Sequence, residues 1–170
     1  AETHAAPYAS RCDAIGERGS ATLRYASSLD ASRENAEQAL LEALERKRPL
    51  DVKRGITHAG PHRDDLQLSL DGRELRTYGS AGQQRTAAIA LRLLEAATLR
   101  EATRAEPLVL LDDPFAELDA RRAARILELL RAEERGQTIV AVPREDDVPE
   151  AFTRLERWRV EDGVLSRVDA

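Results

Sequence analysis

The sequence predicts an α/β protein organised around a strand–helix–strand unit. Two short apolar runs of strand length, PLVLLDD (107–113) and QTIVAV (137–142), flank a helical pattern, DARRAARILELLRAEERG (119–136). Consecutive strands joined by one helix pair in parallel with a right-handed crossover. Asp71-Gly72 and Asp162-Gly163, each between runs of strand character, predict two hairpins with tight two-residue turns.

Each element has its own signal. Residues 1–20 are polar and mixed and support no assignment. ATLRYASSL (21–29) spaces Leu23, Tyr25 and Leu29 as a short strand would. ASRENAEQALLEALERKRP (31–49) places Ala36, Ala39, Leu40, Ala43 and Leu44 at helical spacing, and Pro49 is expected to stop that helix. The cations Arg46, Lys47 and Arg48 at its end suit the helix dipole and could also touch phosphate. LQLSLDGRELRTY (66–78) reads as a hairpin with Leu66, Leu68 and Leu70 on one face. In YGSAGQQRTAAIALRLLEAATLRE (78–101), Ser80 and Gln83 form a capping box. Ala87, Ala90, Leu91 and Leu94 continue as an apolar stripe. The runs at 107–113 and 137–142 are expected to be buried on both faces. Between them Ala123, Ile126, Leu127 and Leu130 face inward, with Gly136 as C-cap. RWRVEDGVLSRV (157–168) is the second hairpin. The polar stretch around 49–60 is a candidate boundary, giving a partial helical lobe at 1–55 and an α/β part at 56–170.

Composition narrows the function. With 170 residues and 42% hydrophobic content the chain can build a packed core. No apolar run approaches 18 residues, so no membrane span is expected. One cysteine, Cys12, excludes an internal disulfide and fits a reducing cytoplasm. A net charge of −5 argues against a simple polybasic nucleic-acid binder, though not against a local basic face.

The chemistry concentrates in two segments. LVLLDDPFAELD (108–119) runs four branched apolar residues into Asp112 and Asp113. Ligands of open α/β sheets sit beyond the carboxyl ends of the strands. A carboxylate there can hold Mg²⁺ through water, and a second can orient or deprotonate an attacking water. Asp-Asp-Pro is also ordinary turn chemistry. GSAGQQR (79–85) puts small residues before a capped helix, whose free first-turn N–H groups suit a phosphate. An ordinary capped helix reads the same way.

The order of the two segments carries more than either alone. YGSAGQQRTAAIALRL is similar to the signature motif and following helix of ABC-type ATPases, and LVLLDDPFAELD to their Walker B and D-loop. With GPHRDDL (60–66) the set resembles the RecF family of recombination and repair ATPases, which is related to SMC proteins. The likeness is firm over residues 56–142 and looser on either side. It implies the C-terminal part of an ABC-type ATPase head, with parallel strands, flanking helices and β-hairpins. It implies ATP held between two protomers of a homodimer. Asp112 would coordinate Mg²⁺ and Asp113 would take the place of the catalytic glutamate. Ser80, Gly82 and Gln83 would meet the γ-phosphate bound by the opposite protomer, and Asp119 would be the D-loop acid. The family binds DNA in an ATP-dependent way at gaps and junctions. It works with RecR and RecO in loading RecA, within DNA replication, recombination, repair and the SOS response.

Two features depart from that pattern. The only lysines, Lys47 and Lys53, lie in no Gly-x-x-x-x-Gly-Lys-Ser/Thr frame, so a P-loop is missing. The family carries its P-loop near the N-terminus and this sequence contains no methionine, so a C-terminal portion of a longer protein is expected. Such a chain is not expected to hydrolyse ATP alone. The strand after Walker B runs into AVPRED, without the His or Thr that senses γ-phosphate in such enzymes. A non-hydrolysing ABC-derived module that binds DNA or protein is the alternative. A Mg²⁺-dependent nuclease built on Asp112, Asp113 and Asp119 is a third reading. In GPHRDDL, His62 could bind a metal with Asp64 and Asp65, or the motif could be a turn with Arg63 paired to one acid. Arg121, Arg122 and Arg125 form either a DNA-facing stripe or a solvated face. Trp158 is most simply a packing residue.

Overall fold

The computed structural model describes residues 2–29, 35–132, 136–149 and 155–168. Its elements are α1 (Glu2–Ile15), β1 (Ala21–Ala26), α2 (Ala36–Arg54), β2 (Asp65–Leu70), β3 (Arg73–Glu74), α3 (Leu75–Tyr78), α4 (Ala81–Thr103), β4 (Val109–Asp112), α5 (Ala120–Ala132), β5 (Thr138–Ala141), β6 (Arg157–Glu161) and β7 (Val164–Val168). The fold is α/β. Strands β1, β2 and β3 form an antiparallel sheet, β4 and β5 a parallel pair around α5, and β6 and β7 an antiparallel ribbon.

The core lies where α1, α4 and α5 meet. α1 contributes Tyr8, Cys12 and Ile15, spaced to share one helix face. α4 contributes Ala90, Leu93 and Leu94, and α5 contributes Ala123, Ile126 and Leu127. Leu111 of β4 and Phe115 of the following loop close it from the strand side. The N-terminal stretch that supported no assignment is therefore a core helix, and its first strand adds Ala21 and Leu23. The core cluster takes residues from both sides of residue 55, because α1 packs with α4 and α5 and β1 packs on α1. Of the described part of α2, only Ala43 is buried.

Local chemistry sets several boundaries. Ser80 is the N-cap of α4: its Oγ accepts the Gln83 N–H at 3.3 Å, and Gln83 Oε1 accepts the Ser80 N–H at 2.9 Å. Both hairpin turns have an aspartate and a glycine at positive φ, Asp71 and Gly72 at 50° and 75°, Asp162 and Gly163 at 49° and 79°. That is the geometry of a type I′ turn.

Four expectations are corrected. Pro49 does not stop α2, which runs to Arg54 and ends with Gly55 in the left-handed region. Its last turns are tied down from outside: Lys47 Nζ donates to the His58 carbonyl, and Asp51 accepts both the His58 backbone N–H and its ring. The first hairpin is lopsided, since β3 is two residues long and the chain then turns into α3. The strands β4 and β5 are not buried on both faces. Leu110 and Ile139, paired in register, are 66% and 49% exposed, because no described element covers their side of the pair. Gly136 does not adopt a left-handed conformation. It is needed for close approach, since a Cβ there would lie 2.7 Å from the Pro107 carbonyl oxygen. The reading of residues 31–34 and 133–135 as helix lies outside the described residues.

Candidate functional site

The parallel pair delivers the two aspartates to one place. Asp112 ends β4 opposite Ala141 of β5 and is exposed. Asp113 is half-buried and sits at φ 46°, a region that costs a non-glycine residue roughly 1–3 kcal/mol unless its surroundings fix it. They do so from both sides. The Asp113 N–H donates to the Ala141 carbonyl at 2.8 Å, and the Asp113 carbonyl accepts from Arg85 Nη1 at 3.1 Å. The loop then buries Pro114 and Phe115 and turns again at Glu117, φ 61°. Two non-glycine residues at positive φ within five positions mark a loop whose shape is imposed rather than relaxed.

Asp119 closes this loop as N-cap of α5. Its Oδ1 accepts the Arg122 N–H at 2.9 Å, and its carbonyl accepts the Ala123 N–H. The start of α4 packs against the same loop. A Cβ on Gly82 would stand 2.9 Å from the Glu117 carbonyl and 3.5 Å from Arg122 Nη1, so only a glycine allows this approach. Ser80, Gly82 and Gln83 are thereby brought beside the Asp113–Asp119 loop.

A half-buried ion pair adjoins them. Glu17, only 8% exposed, carries Oε2 3.3 Å from Arg122 Nη2, an ionic contact without hydrogen-bond geometry. Gly16, at φ 106°, is crossed by the Arg125 guanidinium. Of the three arginines read as a stripe, Arg122 pairs with the α1–β1 connection, Arg125 packs over it, and Arg121 alone is exposed. Beside Glu17, burial pushes the Cys12 thiol up from its ordinary value and does the same to the Tyr8 hydroxyl.

Beyond β5, Arg144 stands where a γ-phosphate sensor was sought. It makes a two-pronged contact to Asp147, Nη2 to Oδ1 at 3.0 Å and Nε to Oδ2 at 3.3 Å. That hydrogen bonding holds the Asp147 carboxyl below and the Arg144 guanidinium above its ordinary value.

The GPHRDDL motif is one 3₁₀ turn at Pro61–Arg63 that leads into β2. His62 Nε2 and both Arg63 Nε and Nη2 converge on the Thr57 carbonyl, at 3.0, 3.1 and 2.9 Å. Arg63 is therefore not paired with Asp64 or Asp65. Asp64 accepts the Ser28 N–H at 2.6 Å and the Tyr25 hydroxyl, while Asp65 pairs with Arg76 at 3.2 Å. Among the described residues no three histidine, cysteine, aspartate or glutamate side chains are grouped to hold a metal. Trp158 is 53% exposed rather than packed. No described helix is long and apolar enough to cross a membrane.

Sequence reasoning placed Asp112, Asp113 and Ser80 in their elements but assigned no role to Arg85, Glu117 or Glu17. For Arg85 the signal was its place in the second turn of a helix whose start was already singled out. For Glu117, whose backbone strain depends on packing, there was none.

Comparison with known proteins shows what the chain is similar to as a whole. Residues 5–141 match the family model described as "AAA domain, putative AbiEii toxin, Type IV TA system". The DNA replication and repair protein RecF of Roseiflexus castenholzii is 45% identical over 130 residues, covering 76% of this chain and 33% of that protein. RecF of Bacillus subtilis is 36% identical over 149 residues, covering 85% of this chain and 40% of that protein. The chain thus spans about a third of the length of the curated relatives it matches. The structure of the recombination mediator protein RecF-ATPrS superposes with a TM-score of 0.64 at 27% identity, over 96% of this chain and 44% of that one. An SMC head bound to the C-winged helix domain of ScpA reaches 0.59 at 18% identity, over 98% of this chain and 42% of that one, a likeness of fold alone.

Proposed function

Since the chain belongs to this AAA-domain family and is RecF-like over most of its length, we propose that it supplies one half of a nucleotide site shared between two protomers of a DNA-repair ATPase. One observation carries the reading. The start of α4 and the loop leaving β4 are pressed together at Gly82 and Glu117, which supports reading the two as neighbouring signature and D-loop segments.

The donor set fits Mg-ATP. Asp112 is exposed at a strand end, where it would hold Mg²⁺ through water. Bound Mg²⁺ would neutralise charge on the phosphates. Asp113 has its backbone fixed at N–H and carbonyl, so its carboxylate is the part free to orient an attacking water. Ser80 and Gln83 hold the start of α4 in a capping box, and the first-turn amides have no intrahelical carbonyl to bond. With Gly82 they would receive the γ-phosphate bound by the opposite protomer. Asp119 spends Oδ1 on its own helix, which leaves Oδ2 to act across a dimer. On this reading the protein binds DNA at gaps or junctions and acts with RecR and RecO in loading RecA. Lys47 and Lys53 stand in no P-loop frame, so neither is assigned to the phosphates.

The test is a chimera in which this chain replaces the matched segment of Roseiflexus castenholzii RecF. It should hydrolyse ATP. Asp113→Asn should leave ATP affinity in place and lower turnover by about a hundredfold or more. Unchanged hydrolysis by that variant would remove Asp113 from the chemistry. Absence of hydrolysis in the parent chimera, with ATP still bound, would favour a non-hydrolysing module instead.

A further inference from the structure

We propose that Arg85 is a positioning residue that ties the signature helix to the Walker B acid of the same chain. The inference rests on the half-site reading above and adds a direction to it. If Ser80, Gly82 and Gln83 face the partner's nucleotide while Asp112 and Asp113 face the chain's own, something must register one site against the other. The structure contains a direct link. Arg85 lies five positions after the N-cap of α4 and donates Nη1 to the Asp113 carbonyl at 3.1 Å, in a partly buried contact.

The acceptor matters more than the bond alone. Asp113 is held at φ 46°, and its N–H is fixed to β5 through the Ala141 carbonyl. The strand therefore anchors one side of this residue and the signature helix the other. The remaining contact on the carbonyl, the Ala116 N–H at 3.4 Å, is long for a hydrogen bond. Without Arg85 the Asp113 carbonyl keeps only that long contact, and the start of α4 is no longer registered against the residue that carries the carboxylate. A displacement of the α4 start by a phosphate would pass along one helical turn to Arg85 and from there to Asp113. A catalytic carboxylate misplaced by about 1 Å can lose on the order of a hundredfold in rate.

Two measurements test this. In the 170-residue chain, Arg85→Ala should raise the exchange rate of the Asp113 amide about fivefold, the loss of one net hydrogen bond. Protection of core amides such as Leu93 and Ile126 should stay unchanged. Parallel loss of core protection would reduce Arg85 to a structural role. In the RecF chimera, Arg85→Ala should lower kcat about tenfold or more with KM within about twofold. Arg85→Lys, which keeps one donor, should recover part of the loss. The Asp113→Asn variant run alongside separates the two failures. If it abolishes turnover while Arg85→Ala does not change kcat, the coupling is wrong and the half-site stands. If neither alters turnover, both are overturned.

Discussion

A carboxylate outside the proposed nucleotide site reports its bonds through pH. Asp64 receives the Ser28 N–H first and the Tyr25 hydroxyl second, and these hold its carboxyl below the ordinary value of 3.8. A carboxyl lowered on folding stabilises the folded state above its unfolded value, and that stability is lost as pH falls through the folded one. Below about pH 3.8 the protein should therefore lose stability faster than a variant without this acid. Urea midpoints near pH 5 and near pH 3 check it. The wild-type midpoint should drop further than that of Asp64→Asn, and equal drops would mean that Ser28 and Tyr25 do not fix this group in solution. The same residue closes the turn around His62, so the motif read as a possible metal site is explained by hydrogen bonds to carbonyls and amides.

At the scale of the element, Asp119 serves α5 before it serves any partner. Asp119→Ala removes an N-cap and should lower stability by about 1 kcal/mol, whereas Asp119→Asn should cost little, because both oxygens and amides cap well. Chemical denaturation of the three proteins measures this, and a tolerated alanine would show that the cap is not formed. The comparison also separates fold from function, since asparagine keeps the cap while removing the charge proposed to cross the dimer. Caps and turns of this kind were legible in the sequence because their chemistry is local. The Ser80–Gln83 box and both Asp-Gly turns needed no knowledge of distant residues. Pro49 misled because the contacts that carry α2 past it come from His58. Tyr8, Cys12 and Ile15 have helical spacing, yet the polar residues around them and Pro7 within the helix concealed α1. The apolar runs at β4 and β5 gave the strands correctly but not their burial, which depends on what lies over each face.

Taken whole, the molecule is a helical core with strands around it. Which residues meet across that core could not be read in advance. Arg85 with Asp113, Glu17 with Arg122 and Gly82 with Glu117 are pairs set by packing, and no period or motif announces them. The ribbon of β6 and β7 shows the opposite condition. Nearly every residue in it is exposed, and among the described residues its side chains reach outside the two strands in the ion pairs of Arg157 and Arg159 with Glu145 and of Arg167 with Glu156. Two-stranded ribbons are marginal on their own. Trp158, the single tryptophan of the chain, sits in this ribbon, so its fluorescence is a probe of the wrong cooperative unit. In a thermal or urea titration the tryptophan signal should change before the helical signal in circular dichroism, and coincident curves would show the ribbon melting with the core. A stability read from fluorescence alone would describe the ribbon and leave the helices that carry the site unmeasured.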